Sequence, residues 1–301
     1  MSEPVLQKPD TESIAARIES IWVYPIKSCA GIQLTESEIT IDGLLWDRNW
    51  MVVDLEGEAI TQREAPAMAL IQPAFRMGGL MLRAPGMLPL HLSMDNAEEA
   101  TRVQLWGESL PAYEMGAVAA QWFTDFLGGS KGPLGPLRLV RFDPEFDRQC
   151  DSAWTGREAS TTQFADGFGL LVTSTASLAA INKRLTDAGA TAIDDRRFRP
   201  NIVLAGLDGH GEDMIAEWSI LADDNEIRVE HVKPCGRCSI PDVDPTRGVA
   251  LTGAVSDTLL ATRRDPRIDG APSYGMNAVL RAGAGAIVRV GQTVRARLRF
   301  D

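Results

Sequence analysis

The segment Pro234-Cys235-Gly236-Arg237-Cys238 sets two cysteines three positions apart, with Lys233 and Arg237 alongside and Pro241-Asp242-Val243-Asp244-Pro245 just beyond. Nearby cations favour the thiolate, which is the form that binds soft metals and attacks electrophiles. Spacing alone leaves four readings open. A structural zinc site needs four ligands, usually from a second Cys/His pair. Here Cys29 and Cys150 stand alone, and His91, His210 and His231 form no ligand-spaced pair. A thioredoxin-like redox pair belongs at a strand-to-helix junction, whereas a strand-like stretch at 227–232 leads into Pro-Cys-Gly and a proline-rich loop. The other two readings are an inert cysteine in a turn, and one exposed, activated cysteine serving a metal cofactor.

Three further segments could hold an anion. Tyr24-Pro25-Ile26-Lys27-Ser28-Cys29-Ala30-Gly31 places a lysine and a hydroxyl in a small-residue turn after a strand. Such a turn can aim backbone N–H groups, Lys27 and Ser28 at one phosphate, although it is not the GxxxxGK[ST] loop. Leu45-Trp46-Asp47-Arg48-Asn49-Trp50 sets Arg48 between two tryptophans; the plain alternative is an arginine packed on aromatic rings. Arg196-Arg197-Phe198-Arg199-Pro200-Asn201 holds three arginines within four residues, just before a strand. In an acidic chain this is either an oxyanion site or a solvated face. No dinucleotide fingerprint appears, because the glycines at 206–211 open no helix and read as a turn. GxSxG and HExxH are absent, and three histidines leave little scope for a histidine-centred triad.

The elements that must position these residues are mostly strands. The chain has 301 residues, enough for two ordinary domains, and its 45% hydrophobic content supports real cores. The net charge of −11 disfavours nucleic-acid or anionic-membrane partners while leaving room for a local basic pocket. No run approaches the ~20 apolar residues that span a bilayer. The polar leader of about 12 residues resembles neither a secretory signal nor a transit peptide, and four scattered cysteines form no disulfide framework. A reduced cytoplasm is the expected compartment. Strands are expected at 18–24, 33–41, 49–54, 59–63, 69–75, 80–84, 88–92, 102–105 and 110–114, with a hairpin across Glu56-Gly57. A helix follows at 118–127, then a turn-rich connection at 130–136 that separates expected domains 13–136 and 137–301. The second half offers strands at 137–142, 201–204, 218–221, 227–232, 277–280, 286–290 and 294–300. It also carries a long polar loop at 143–166, with Trp154 and Arg157, and a helix at 175–188 with Ser174 as its N-cap. The fold class is mainly β with some helix (α+β), and the strand density argues for a barrel or sandwich.

YPIKSCAG, DRNW, RFRPNIVL and PCGRCSIPDVDP, in this order, resemble the MOSC family, named for molybdenum cofactor sulfurase C-terminal domains. The resemblance runs from about residue 18 to 300. It is to the two-part members, in which an N-terminal MOSC-associated β-barrel precedes a MOSC β-barrel domain, as in amidoxime-reducing components. It implies that Cys238 ligates molybdenum and that Lys27, Ser28, Arg48, Arg199 and Asn201 hold the pyranopterin and its phosphate. Ser174 is a weaker match at a loop-to-helix junction where N–H groups could face the anion. Asp244 and Pro245 shape the site, and Cys235 is a neighbour of the ligand. The implied cofactor is the molybdenum–molybdopterin cofactor. The implied activity is a molybdenum-dependent reduction of N-hydroxylated small molecules, in which two electrons and two protons release the N–OH oxygen as water. Some relatives carry a ferredoxin domain with four clustered cysteines; this sequence ends at Phe300-Asp301 without one. Electrons are therefore expected from a separate ferredoxin or cytochrome b5-like protein. Two rival expectations remain. One is a cofactor carrier without turnover. The other is sulfur transfer through a Cys238 persulfide, which would go with a sulfurase domain bearing a pyridoxal-phosphate lysine.

Overall fold

The computed structural model describes residues 13–94, 98–128, 134–222 and 225–299. The leader and residues 130–133 of the turn-rich connection lie outside the described residues. Seven strands close into a barrel in the order Leu170–Ser174, Ile202–Ala205, Ser13–Val23, Thr293–Leu298, Ile215–Ala222, Asn225–Gly236 and Ala271–Ala282. The last strand returns to the first through Leu170↔Ala278 and Val172↔Met276. Closure leaves the seven strands without an open edge.

Each strand supplies one face to the barrel core by period-two alternation. In Thr293–Leu298, Val294 and Ala296 are buried between exposed Thr293, Arg295 and Arg297. Ser13–Val23 buries Ala16 and Ile18 and then changes parity to bury Ile21 and Val23. The change falls at the register shift between Ile18 and Ser20, where a bulge turns the next side chain inward. Trp218, Ile227, Val229 and Ile202 fill the centre. The single parallel pair in the barrel, Leu170–Ser174 with Ile202–Ala205, is joined by the helix Thr175–Asp187, which lays Ile181 and Leu185 against Phe198 and Tyr274.

A second, smaller sheet runs Trp50–Val53, Arg138–Phe142, Glu108–Glu114, Ala100–Leu105. Isolated bridges Val53–Ala59 and Glu58–Gln104 close it on itself around Met51, Val103, Leu110, Val140 and Phe142. A three-stranded sheet, Gln72–Arg76, Gly79–Arg83 and Leu90–Ser93, packs nearby against Trp50, Met68 and Trp122. The fold is therefore mainly β, with a closed seven-stranded barrel beside a smaller N-terminal one. Space does not follow the division at 136, because Ser13–Val23 pairs within the large barrel and Arg138–Phe142 within the small one. No helix among the described residues is long and apolar enough to cross a membrane.

Three expectations need correction. The segment around Cys235 is not a turn: the strand Asn225–Gly236 runs through Pro234, Cys235 and Gly236. It absorbs the proline because the register slips between His231 and Lys233 and again between Pro234 and Gly236, and a bulge is where a strand tolerates proline. The expected strand at 59–63 contributes one bridge at Ala59 and then turns, with Thr61 held by the Glu64 carboxylate at 2.9 Å. An unexpected helix, Ala254–Thr262, is capped from outside its own sequence, as Asp242 Oδ1 accepts from Val255 N at 3.0 Å.

Candidate functional site

A cleft lies between the two barrels. Lys27, Ser28, Arg48, Arg199, Asn201 and Cys238 all line it. Three of these residues, Ser28, Arg48 and Arg199, have left-handed backbones with φ of 67°, 56° and 58°. For non-glycine residues this conformation is unfavourable, and it tends to collect at functional sites.

The floor of the cleft is cationic. Arg48 pairs with Asp47 and donates to Arg199 O at 3.2 Å and Asn201 Oδ1 at 3.2 Å. Its guanidinium carbon lies 4.5 Å from the centroid of the buried Tyr24 ring, and that of Arg199 lies 4.2 Å from the same centroid. Arg199 Nη1 donates to Cys29 O at 2.5 Å, but its buried Nη2 has no partner. Burial, followed by repulsion from Arg48, pulls the Arg199 pKa down to about 10. Arg237 donates to Tyr274 O and Phe198 O, both at 3.1 Å, and its buried Nη2 is likewise unpartnered. Neither Arg199 nor Arg237 meets a carboxylate at ion-pair distance among the described residues. Buried donors left unpaired cost stability, so a partner for either nitrogen would be rewarded.

Lys27 sits in the wall, donating to Phe164 O at 2.9 Å and Asp166 Oδ1 at 2.5 Å. Burial lowers its pKa, and Asp166 opposes the shift. Besides accepting from Arg48, Asn201 Oδ1 accepts from Leu171 N at 3.0 Å, and Nδ2 donates to Trp22 O at 3.2 Å. It thereby ties three strands together beneath the cleft.

The four cysteines separate by environment. Cys29 and Cys150 are buried, and burial pushes their thiols up to about 12 and about 11. Cys235 is half-buried and its thiol is raised by desolvation, with Arg237 opposing. Cys238 is exposed. A soft sulfur donor thus stands at the lip of a basic cleft. Among the described residues no group of three or more His, Cys, Asp or Glu side chains could hold a metal ion by itself, so a zinc site made of protein ligands alone has no basis here. The donor set suits a metal whose remaining ligands arrive with an anionic cofactor, because one thiolate completes a sulfur-rich set.

Ser174 requires correction. It is fully buried away from the cleft, accepting from Ser177 N at 3.1 Å as the helix N-cap and donating to Glu212 Oε2 at 2.8 Å. With its hydroxyl committed to Glu212, it has no route to a ligand in the cleft. The loop at 143–166 reaches the cleft through Ala165 and Asp166 rather than through Trp154 or Arg157. Arg148 pins it, donating to Gln163 O at 2.7 Å and Ala165 O at 2.6 Å.

Sequence reasoning missed Arg63 and Trp106. Trp106 lines the cleft from the tip of a small-barrel hairpin. Its local signal was Trp106-Gly107 between two strand-like runs, a two-residue turn pattern. Nothing local tells where such a tip lands.

Fold and site together define a two-barrel protein with a cationic cleft lined by an exposed cysteine. Residues 15–130 match the MOSC N-terminal beta barrel domain, and residues 159–295 match the MOSC domain. The chain is similar to mitochondrial amidoxime-reducing component 1 of Homo sapiens, 33% identical over 83% of this chain and 73% of that protein. It is also similar to mitochondrial amidoxime reducing component 2 of Rattus norvegicus, 30% identical over 86% of this chain and 77% of that protein. Molybdenum cofactor sulfurase of Homo sapiens is 25% identical over 77% of this chain but only 27% of that protein. The chain belongs to the MOSC family in its two-part form, and the names of these relatives support a function related to the molybdenum cofactor.

Proposed function

We propose that this protein is a molybdenum-cofactor-dependent reductase of N-hydroxylated compounds. The observation that carries the reading is the pairing of one exposed cysteine, Cys238, with a floor where buried guanidinium nitrogens of Arg199 and Arg237 lack partners. Arg199, Lys27 and Arg48 would hold the phosphate-bearing pterin, and Cys238 would supply the protein ligand to its metal. When bound, the cofactor supplies a redox metal able to accept the hydroxyl oxygen of an N–OH group. The residues of this chain would orient that group, with Asn201 and the Arg48 and Arg199 guanidinium groups lining the cleft. Two electrons and two protons per turnover convert the N–OH group to N–H and water. The electrons come from a separate carrier of ferredoxin or cytochrome b5 type, and the protein works in the cytoplasm.

The test is to purify the protein from cofactor-replete cells, measure molybdenum and released pterin per chain, and follow reduction of benzamidoxime by reduced viologen. Near-stoichiometric molybdenum with turnover upholds the reading; bound cofactor without turnover points to a carrier. The similarity to molybdenum cofactor sulfurase favours one second reading, a persulfide carried on the exposed Cys238. Sulfane sulfur on Cys238 in a molybdenum-free protein would support it and overturn the reductase.

A further inference from the structure

Trp106 plays no part in the anion-binding floor, and neither its turn nor the core accounts for it. It stands where Leu105 pairs with Glu108 across a two-residue turn, with φ of 54° at Trp106 and 81° at Gly107. Such a turn wants positive φ at both central residues, which favours asparagine, aspartate or glycine at the first. A bulky aromatic there is a genuine outlier. Core packing does not call for it either, because Trp106 is 48% exposed.

Two of its contacts, Lys27 and Asp166, line the cleft, and the third is Arg63. Lys27 Nζ lies 5.4 Å and the Arg63 guanidinium carbon 4.7 Å from its ring centroid, and its Nε1 donates to Asp166 Oδ1 at 3.3 Å. Trp106 and Cys238 line the same cleft. Left-handed backbones at Ser28, Arg48, Trp106 and Arg199 line this one cleft, the clustering expected where local strain serves a site. An oriented aromatic side chain therefore stands in the same cleft as the exposed thiol. Such a surface rewards a flat π-system laid against it far more than a puckered ring of equal size.

We infer that Trp106 is the specificity-determining wall of the substrate subsite beside Cys238, and that it selects N-hydroxylated substrates carrying a planar aromatic ring next to the N–OH-bearing group over those carrying a saturated one. The inference rests on the reductase reading for its kinetics and on binding alone for its second test. The small barrel thereby contributes selectivity to a cleft whose thiol belongs to the large one.

The experiment compares benzamidoxime with cyclohexanecarboxamidoxime on molybdenum-loaded protein with reduced viologen as donor. The variants are Trp106→Asn and Trp106→Phe. Asparagine relaxes the left-handed turn, so Trp106→Asn keeps the hairpin while removing the ring. Its preference for the aromatic substrate, as a ratio of kcat/KM values, should fall about tenfold, mostly through KM. Trp106→Phe should retain most of the preference. Calorimetric titration with benzamidine and cyclohexanecarboxamidine, the two products, should show the same loss of discrimination. An unchanged ratio, or equal losses for both substrates, would overturn the inference and leave Trp106 as a docking contact of the hairpin. If the wild type reduces neither substrate, the reductase reading falls and the calorimetry alone decides. Benzamidine binding that weakens in Trp106→Asn would uphold the aromatic subsite, and binding of neither amidine, or of both equally, would remove it.

Discussion

At the scale of single residues, the chemistry of this chain is set by what burial leaves available. Four thiols share one sequence, but three are held up by desolvation, and Cys238 is exposed. Cys238→Ser should therefore abolish molybdenum incorporation while the pterin stays, because the phosphate anchors are untouched; metal and pterin assays on one sample separate the two. Cys29→Ser should leave both unchanged. Arg199→Gln should do the opposite of Cys238→Ser, weakening pterin retention about 10- to 100-fold, the worth of a charge-assisted hydrogen bond to a buried anion. Much of this was legible in the sequence. Lys27, Ser28, Arg48, Arg199, Asn201 and Cys238 all reach one cleft, since each lies in a short segment whose residue types suit an anion or a soft metal. Asn201 was legible as a member of the site but not in its role, because only the folded chain reveals that its amide is spent on Leu171 and Trp22.

At the scale of elements, packing decided what local pattern left open. Ser174 illustrates the limit: the N-cap and its helix were readable from sequence, but the direction of its hydroxyl was not. Ser174→Ala should cost about 1 kcal/mol of stability from the lost cap and leave cofactor content at the wild-type level, measurable by thermal melt and pterin assay. Backbone approach is a second such decision. Gly43, at φ 119°, lies so close to the loop before Leu170–Ser174 that an added Cβ would sit 2.2 Å from Gly169 O. Gly43→Ala should destabilise the fold by at least about 1–3 kcal/mol, read from a denaturant midpoint, whereas Gly78→Ala, where a Cβ would meet nothing within 4 Å, should cost less. The strand through Pro234 and Cys235 belongs here as well. Proline reads as a stop in sequence, and only the bulged pairing with Ala271–Ala282 carries the chain past it to present Cys238 at the strand's end.

At the scale of the whole molecule, the two barrels are interleaved. The strand Ser13–Val23 pairs with Ile202–Ala205 and Thr293–Leu298, and Lys27, Ser28 and Arg48 come from the chain's first fifty residues. A fragment of residues 137–301 should therefore fail to melt cooperatively and should bind no pterin, by circular dichroism and pterin assay. Stability should also depend on pH. Burial pulls His210 and His231 down to about 4 from an ordinary 6.5, so the unfolded chain takes up their protons first. Their contribution is complete above pH 6.5 and is lost as pH falls toward 4. Asp195, pushed up to about 6 by burial and then by Asp194 and Glu212, acts in the opposite sense, its contribution fading as pH rises through 6. Burial raises Glu212 and Asp213 in the same sense as Asp195, so the histidine part is read by difference: His231→Gln should lose less melting temperature than the wild type between pH 6.5 and 4. The sequence alone determined the β-rich class, the cationic segments and the cysteine motif, because these depend on residue type and on neighbours a few positions away. The tertiary structure alone decided which strand closes the large barrel, that Ser174 turns from the cleft and that Trp106 arrives in it. Those outcomes depend on contacts between residues tens to more than a hundred positions apart, and period-two alternation fixes which face of a strand is buried without naming the partner it is buried against.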